Sequence, residues 1–257
     1  MYSVLRYILL ISGLLFTSLN SCLAATEAVT FNSGPQQTIL LELYTSEGCS
    51  SCPPADRWLS QFTHDPRLWN QVVPVAFHVD YWNYLGWSDR FSRARYSERQ
   101  RQYASKHYSK SVYTPGFFSN GREWRAWFYR GEPDFSRRST AGILHVTISS
   151  TAVEGHFAPQ AGSEAELKLN LAVLGFNLTT QVAGGENQGK QLRHDFVVLS
   201  LHSYETQAAS GAFAWQLPLP PALHQTGAEA VAIWISRVDD PTPIQATGGW
   251  LTAHSNK

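Results

Sequence analysis

The sequence predicts an α/β domain followed by a carboxyl-terminal antiparallel β domain, small and sandwich-like. Three observations lead there. Two apolar runs, 38–44 and 72–79, enclose a segment whose apolar residues recur at helical spacing, the pattern of a strand, a helix and a second strand. A Gly-Glu-Pro-Asp stretch at 131–134 then interrupts the pattern. Beyond it, helical periodicity gives way to short alternating strands. The expected units are a signal peptide at 1–24, the α/β domain at 38–137 and the β domain at 138–257.

The first 24 residues carry one cation, Arg6, then the apolar stretch 7–16, and end in Ser21, Cys22, Leu23 and Ala24. This is the order of a secretory signal. The apolar run is broken by Ser12 and Gly13 and is short for a bilayer span. Two processing routes are open. Cleavage after Ala24 releases an exported protein, periplasmic or secreted. Lipidation of Cys22 anchors it, because Leu19-Asn20-Ser21-Cys22 is similar to the site at which bacterial lipoproteins are cut and acylated, although Asn20 fits poorly. Lipidation is the one membrane attachment this reading offers.

With 43% hydrophobic and 13% aromatic residues the chain has material for sizeable cores, so disorder is not expected. Lysine plus arginine equals aspartate plus glutamate at 20 each, and loss of Arg6 with the signal peptide leaves 19 against 20. Neither a nucleic acid nor an anionic membrane surface is therefore an expected partner.

Residues 38–44 read as a buried strand and Ser46-Glu47-Gly48 as a turn. From Pro53 a helix places Ala55, Trp58, Leu59 and Phe62 on one face and Asp56, Arg57 and Gln61 on the other. The β-branched run 72–79 lies parallel to the first strand through a right-handed crossover. An arginine-rich helix over 88–107 carries Phe91, Tyr96 and Tyr103. Segments 111–118 and 123–127 flank Ser119-Asn120-Gly121-Arg122, whose Asn-Gly pair predicts a hairpin. The second half offers strands at 144–148, 166–174, 194–201, 212–217 and 230–238, with a polar glycine-rich loop at 184–190.

Once Cys22 is removed or acylated, Cys49 and Cys52 are the remaining thiols, in a compartment where disulfides persist. Gly48-Cys49-Ser50-Ser51-Cys52 sits between a strand and a helix, where a thioredoxin-type redox motif belongs. The helix N-terminus favours a thiolate on Cys49, the attacking thiol, and the spacing lets Cys52 resolve it. The competing reading is a permanently closed structural disulfide, which so short a ring makes a poor staple. Pro53 and Pro54 perturb the helix start, and Glu47 would oppose the thiolate if close; as a plain turn residue it is solvated. Thr114-Pro115 is placed for a cis proline facing the cysteines, with Thr114 and Pro115 binding an extended substrate. His78 and Asp80, at the carboxyl end of the second strand, are candidates for proton transfer, and His78 also for metal ligation. Tyr81, Trp82 and Trp87 are candidates for a substrate groove. Glu42 is either a buried proton acceptor behind the cysteines or an outward-facing strand residue.

The run Leu41-Glu42-Leu43-Tyr44-Thr45-Ser46-Glu47-Gly48-Cys49-Ser50-Ser51-Cys52-Pro53-Pro54-Ala55-Asp56, with Phe77-His78-Val79-Asp80-Tyr81-Trp82, Leu85-Gly86-Trp87 and Ser111-Val112-Tyr113-Thr114-Pro115, resembles an exported bacterial domain-of-unknown-function family of the thioredoxin-like superfamily. The likeness continues in Gly185-Glu186-Asn187 and Leu192-Arg193-His194. It implies a thioredoxin-like fold for the α/β domain, export and a redox site, and brings no substrate. Asn83 stands where an acidic residue is expected, which weakens a metal site there.

Three functions are compatible with these residues. The first is thiol–disulfide exchange with a polypeptide substrate by Cys49 and Cys52, needing no cofactor and no metal. The second is copper binding or delivery by the two thiolates and an imidazole such as His78, against which stands the lack of methionine ligands, Met1 being the sole methionine. The third is a non-enzymatic envelope-binding protein with a structural disulfide, drawing on Trp215, Trp234 and Trp250.

Overall fold

A computed structural model describes residues 28–129, 131–136, 138–160, 166–206, 211–224 and 227–251. The expected signal peptide and Cys22 lie outside them. The strands are β1 (Val29–Asn32), β2 (Ile39–Thr45), β3 (Val72–His78), β4 (Gly116–Ser119), β5 (Arg122–Glu123), β6 (Gly142–Ile148), β7 (Ala152–Pro159), β8 (Leu167–Gly175), β9 (Leu178–Gln181), β10 (Gln191–His194), β11 (Val197–Thr206), β12 (Phe213–Pro218), β13 (Ala230–Arg237) and β14 (Pro243–Trp250). The α-helices are α1 (Pro53–Ser60) and α2 (Ala94–Ser105).

Eight strands form one mixed sheet in the order β14-β13-β8-β11-β3-β2-β4-β5, four form an antiparallel sheet β1-β6-β7-β12, and β9 and β10 make a separate ribbon. The predicted strand–helix–strand unit is present: β2 and β3 run parallel with Thr45 opposite His78, so both strands end at the same edge. The Asn-Gly hairpin is present too. Asn120 and Gly121 both have positive φ, 45° and 76°, and the Asn120 side chain accepts the Leu40 N–H at 2.9 Å.

The architecture corrects the expected fold class. The described residues hold fourteen strands and two α-helices in large sheets, and this mostly β arrangement is not an α/β thioredoxin-like fold. The physical reason lies at the far edge of β3. Its ladder is taken up in parallel by β11, with Val197 opposite Ala76, and β8, β13 and β14 follow. Strands from both sides of residue 138 thus share one sheet, and an open edge that α/β packing would leave is filled.

Pleating assigns the faces. In β8, Leu167, Leu169, Leu171 and Val173 pack against Phe31, Val146 and Phe157 of the four-stranded sheet, whereas Ala172 and Leu174 join the larger core with Phe77 and Trp234. Burial on both faces explains the near-continuous apolar run. Around β2 the helices take opposite faces: Trp58 of α1 meets Phe117 at 5.1 Å, and Tyr103 of α2 stacks on Phe118 at 4.7 Å. Trp215 and Trp234 are core residues, 4% and 0% exposed.

Glu42 is fully buried on the α2 face. It accepts hydrogen bonds from Arg99 Nε at 2.8 Å, from the Tyr44 hydroxyl at 2.9 Å and from the Tyr103 hydroxyl. Burial and the Glu42 charge push both tyrosines well above their usual range. The carboxylate is therefore a structural anchor for α2 rather than a strand residue facing solvent. Arg99→Met leaves it buried without its cation, and urea unfolding should show a loss of about 3–5 kcal/mol; a loss below about 1 kcal/mol would show that the pair does not anchor α2.

Candidate functional site

The cysteine loop leaves β2 at the shared carboxyl edge and enters α1. Its turns are closed by Cys49 N–H to the Ser46 carbonyl and Cys52 N–H to the Cys49 carbonyl, both 3.2 Å. Cys52 occupies the N-cap position with helical φ and ψ, and the two prolines fall in the first turn of α1, where no intrahelical donor is lost. The feared irregularity does not arise.

Both cysteines are reduced and buried, 1% and 0% exposed. Their environments differ. The hydrogen bond from Cys52 brings the Cys49 thiol down to about 6 against the opposing effect of burial, with the Ser51 and Thr114 hydroxyls adding to it. Burial pushes Cys52 well above the usual thiol value, and its bond to Cys49 and the charges of Cys49 and Asp56 push the same way.

The sequence-predicted residues distribute unevenly around this pair. Thr114-Pro115 is a cis peptide, and the Thr114 hydroxyl interacts with both thiols. That hydroxyl also accepts the Trp82 indole N–H at 2.7 Å, so the two residues expected to bind substrate are bonded to each other beside the sulfurs. Tyr81 donates to Gln100 at 3.0 Å, and burial, followed by the Cys52 charge, raises its pKa. Asp80 is bound by Ser97 of α2, and Asn83 spans Ser92 and the Asp89 N–H, neither touching a cysteine. His78 turns to Asp89, Nδ1 to Oδ2 2.7 Å, with both side chains fully buried. Burial works against the Asp89 charge, but His78 and the N–H groups of Glu47 and Phe91 hold its pKa below the usual value. Among the described residues no group of three or more His, Cys, Asp or Glu is arranged to hold a metal ion.

Several residues around the site were missed or misplaced by sequence reasoning. Glu47, expected in solvent, is 0% exposed and takes the Trp87 indole N–H at 2.8 Å. Its free oxygen lies 3.6 Å from His194 Nε2, and Asp56 Oδ2 lies 3.5 Å from His194 Nδ1. Burial lowers the His194 pKa, but Asp56 and Glu47 outweigh it and carry it up to about 10. From the same distant part of the chain, Asn187 donates to the carbonyls of Glu47 and Cys49 at 2.9 and 2.8 Å, and Glu186 accepts the Ser50 N–H at 2.8 Å. The only signal for these residues was the likeness carried by 185–187 and 192–194; nothing in spacing connects positions so far apart.

Two outcomes follow from this geometry. Trp82→Phe deletes the donor to Thr114 while keeping an aromatic ring; one hydrogen bond is worth about 1 kcal/mol, so alkylation of Cys49 by iodoacetamide should accelerate about fivefold. An unchanged rate would show that the bond does not restrict access. The His194 pKa rises on folding from about 6.5 to the value given above, so its stabilisation is complete below pH ~6.5 and disappears as pH rises through about 10. The difference in urea midpoint between wild type and His194→Gln should shrink across that window, and a difference constant with pH would refute the assigned charge.

The model of a protein family described as Protein of unknown function (DUF1223) matches residues 40–236. No curated protein sequence matches the chain. Among solved structures, protein AGR_C_4864 from Agrobacterium tumefaciens is similar with a TM-score of 0.63 and 22% identity, over 85% of this chain and 96% of that one. HBP35 of Porphyromonas gingivalis is similar with a TM-score of 0.55 and 16% identity, over 88% of this chain and 80% of that one. At these identities the likeness concerns the fold alone. Since the family model covers most of the chain, including the cysteine loop, β3 and the 185–194 segment that grips them, the protein belongs to the DUF1223 family.

Proposed function

We propose that this protein carries out thiol–disulfide exchange on polypeptide substrates after export, with Cys49 as nucleophile and Cys52 as resolving thiol. The observation that carries the reading is the asymmetry of the pair: Cys49 leads into α1 with the Ser51 hydroxyl 3.3 Å from its sulfur and its pKa brought down to about 6, whereas burial pushes that of Cys52 up. A thiolate is the attacking species in exchange, and a thiol near pKa 6 is largely ionised at neutral pH without losing all nucleophilicity.

In the reductive direction, Cys49 Sγ attacks one sulfur of a substrate disulfide, that S–S bond breaks, and the departing substrate thiolate takes a proton from water. Cys52 then loses its proton to solvent and attacks Cys49 Sγ; the mixed disulfide breaks, the second substrate thiolate leaves, and the pair is oxidised as the substrate is reduced. The reverse sequence oxidises a substrate dithiol. Because both sulfurs are buried, substrate entry requires local opening, and the Trp82–Thr114 bond beside them is the contact proposed to yield.

Cys52→Ser should accumulate a one-to-one mixed disulfide on Cys49 when incubated with a disulfide-bonded peptide, detected by mass spectrometry, and Cys49→Ser should form none. Failure of Cys52→Ser to trap any adduct, including under conditions that loosen the Trp82 contact, would remove the proposal and favour a structural loop closure.

A further inference from the structure

His194 has no part in the exchange steps above, yet it lies between two carboxylates of the loop and helix that carry the cysteines. It is 2% exposed, and neither ring nitrogen makes a hydrogen bond within the described residues. Carboxylates face the ring on two sides. Glu47 of the cysteine loop faces Nε2 and Asp56 of α1 faces Nδ1. His78 of β3, itself held by Asp89, meets the ring edge-on at 4.9 Å between centroids, and Phe91 closes the fourth side. Arg57 and Arg193 stand farther out, lining with Asp56 and His194 a cleft of about 500 Å³ between α1 and β10.

Asp56 is the link to the chemistry. Its N–H donates to the Cys52 carbonyl at 3.1 Å, one helical turn on, and its carboxylate also accepts the Thr45 hydroxyl at 2.9 Å. A buried carboxylate one turn from a buried thiol opposes that thiol's ionisation unless a cation balances it. The cation facing Asp56 is His194.

We propose that His194 is a positioning residue for the resolving step: lodged between Glu47 and Asp56, its imidazolium balances the carboxylate beside Cys52 and thereby lets this buried thiol ionise and attack the mixed disulfide. The inference rests on the exchange reading, and adds to it that β10, far along the chain, sets the rate of the second step rather than the first. Cys49 draws its own stabilisation from Cys52, Ser51 and Thr114, none of which pairs with His194, so the first attack depends on His194 far less than the second.

The two steps separate with dithiobis(nitrobenzoate). Attack by Cys49 on this aromatic disulfide breaks its S–S bond and releases one coloured thiolate, leaving the other half on Cys49. Cys52 then gives its proton to solvent and attacks Cys49 Sγ, and the second coloured thiolate departs as the intramolecular disulfide forms. In His194→Gln at pH 7 the first phase should keep its wild-type rate and the second should slow about tenfold, the consequence of raising the Cys52 pKa by about one unit. His194→Lys, which keeps a cation, should restore the second phase to within about threefold. Asp56→Asn combined with His194→Gln should return it to the wild-type rate or above, because the unbalanced carboxylate is gone. Equal slowing of both phases in His194→Gln, or a double variant as slow as His194→Gln alone, would overturn the proposal; the latter would make Asp56 a required proton acceptor. Absence of both phases in the wild-type protein would instead overturn the exchange reading beneath it.

Discussion

An imidazole buried between two carboxylates obliges distant parts of this chain to stay together. Glu47 and Asp56 belong to the loop and helix that carry the cysteines, and His194 belongs to a ribbon more than a hundred residues later. Three ionisable side chains this deeply buried would be costly if any one were withdrawn, since breaking a buried ion pair leaves an uncompensated charge. The cluster therefore acts as a conditional fastener, stable only when the loop, α1 and β10 are all in place. His78 and Asp89 extend it, and Trp87 and Asn187 occupy polar groups of the loop that the ion pairs leave over.

The eight-stranded sheet makes that fastening possible. Because β11 pairs with β3 in parallel, it begins at the edge where β2 and β3 end, and the segment just before it, β10, is delivered beside the cysteine loop. Had the second half formed a free-standing sandwich, no residue near position 190 could have reached Cys49. The same continuity gives β8 and β13 two buried faces, so that the core under the four-stranded sheet and the core under α2 share a wall.

Local elements were legible in the sequence because their determinants are local. The helix is announced by the spacing of Ala55, Trp58, Leu59 and Phe62, the hairpin by Asn-Gly, and the two parallel strands by apolar runs either side of an amphipathic segment. The two prolines that lead the helix read as a perturbation and prove to fit its first turn. The cysteine pair was legible for the same reason, as was the cis Thr114-Pro115 peptide. What was not legible depends on register between remote strands. The apolar run 166–174 reads equally well as one face of a sandwich or as a strand buried on both faces, and only its pairing with both β11 and β13 decides. Glu47 fails differently: a carboxylate in a turn is ordinarily solvated, and its burial follows from Trp87 and His194, which no spacing rule connects to it. Position 194 was expected to begin a strand; instead β10 ends there and a two-residue break precedes β11, which turns the imidazole toward α1.

Folding and oxidation of one cysteine pair form a closed thermodynamic cycle. Whatever the folded state does to the dithiol–disulfide equilibrium, the disulfide does in equal measure to the stability of the fold. Contacts that favour the thiolate of Cys49 favour the reduced pair, because the thiolate exists only there; the bonds from Ser51 and Thr114 therefore make the folded pair a stronger oxidant than the same two cysteines in an unfolded chain. Burial of Cys52 beside Asp56 makes its thiolate costly; since Cys52 is a neutral thiol in the reduced pair, this leaves the equilibrium nearly untouched and would slow the second step of the proposed exchange. On the same proposal, the ion pair of His194 with Asp56 would act on that second step. In the proposed exchange, thermodynamic poise would thus fall chiefly to the cysteine loop and Thr114, and resolving rate to a histidine that the continuous sheet brings in from the far half of the chain.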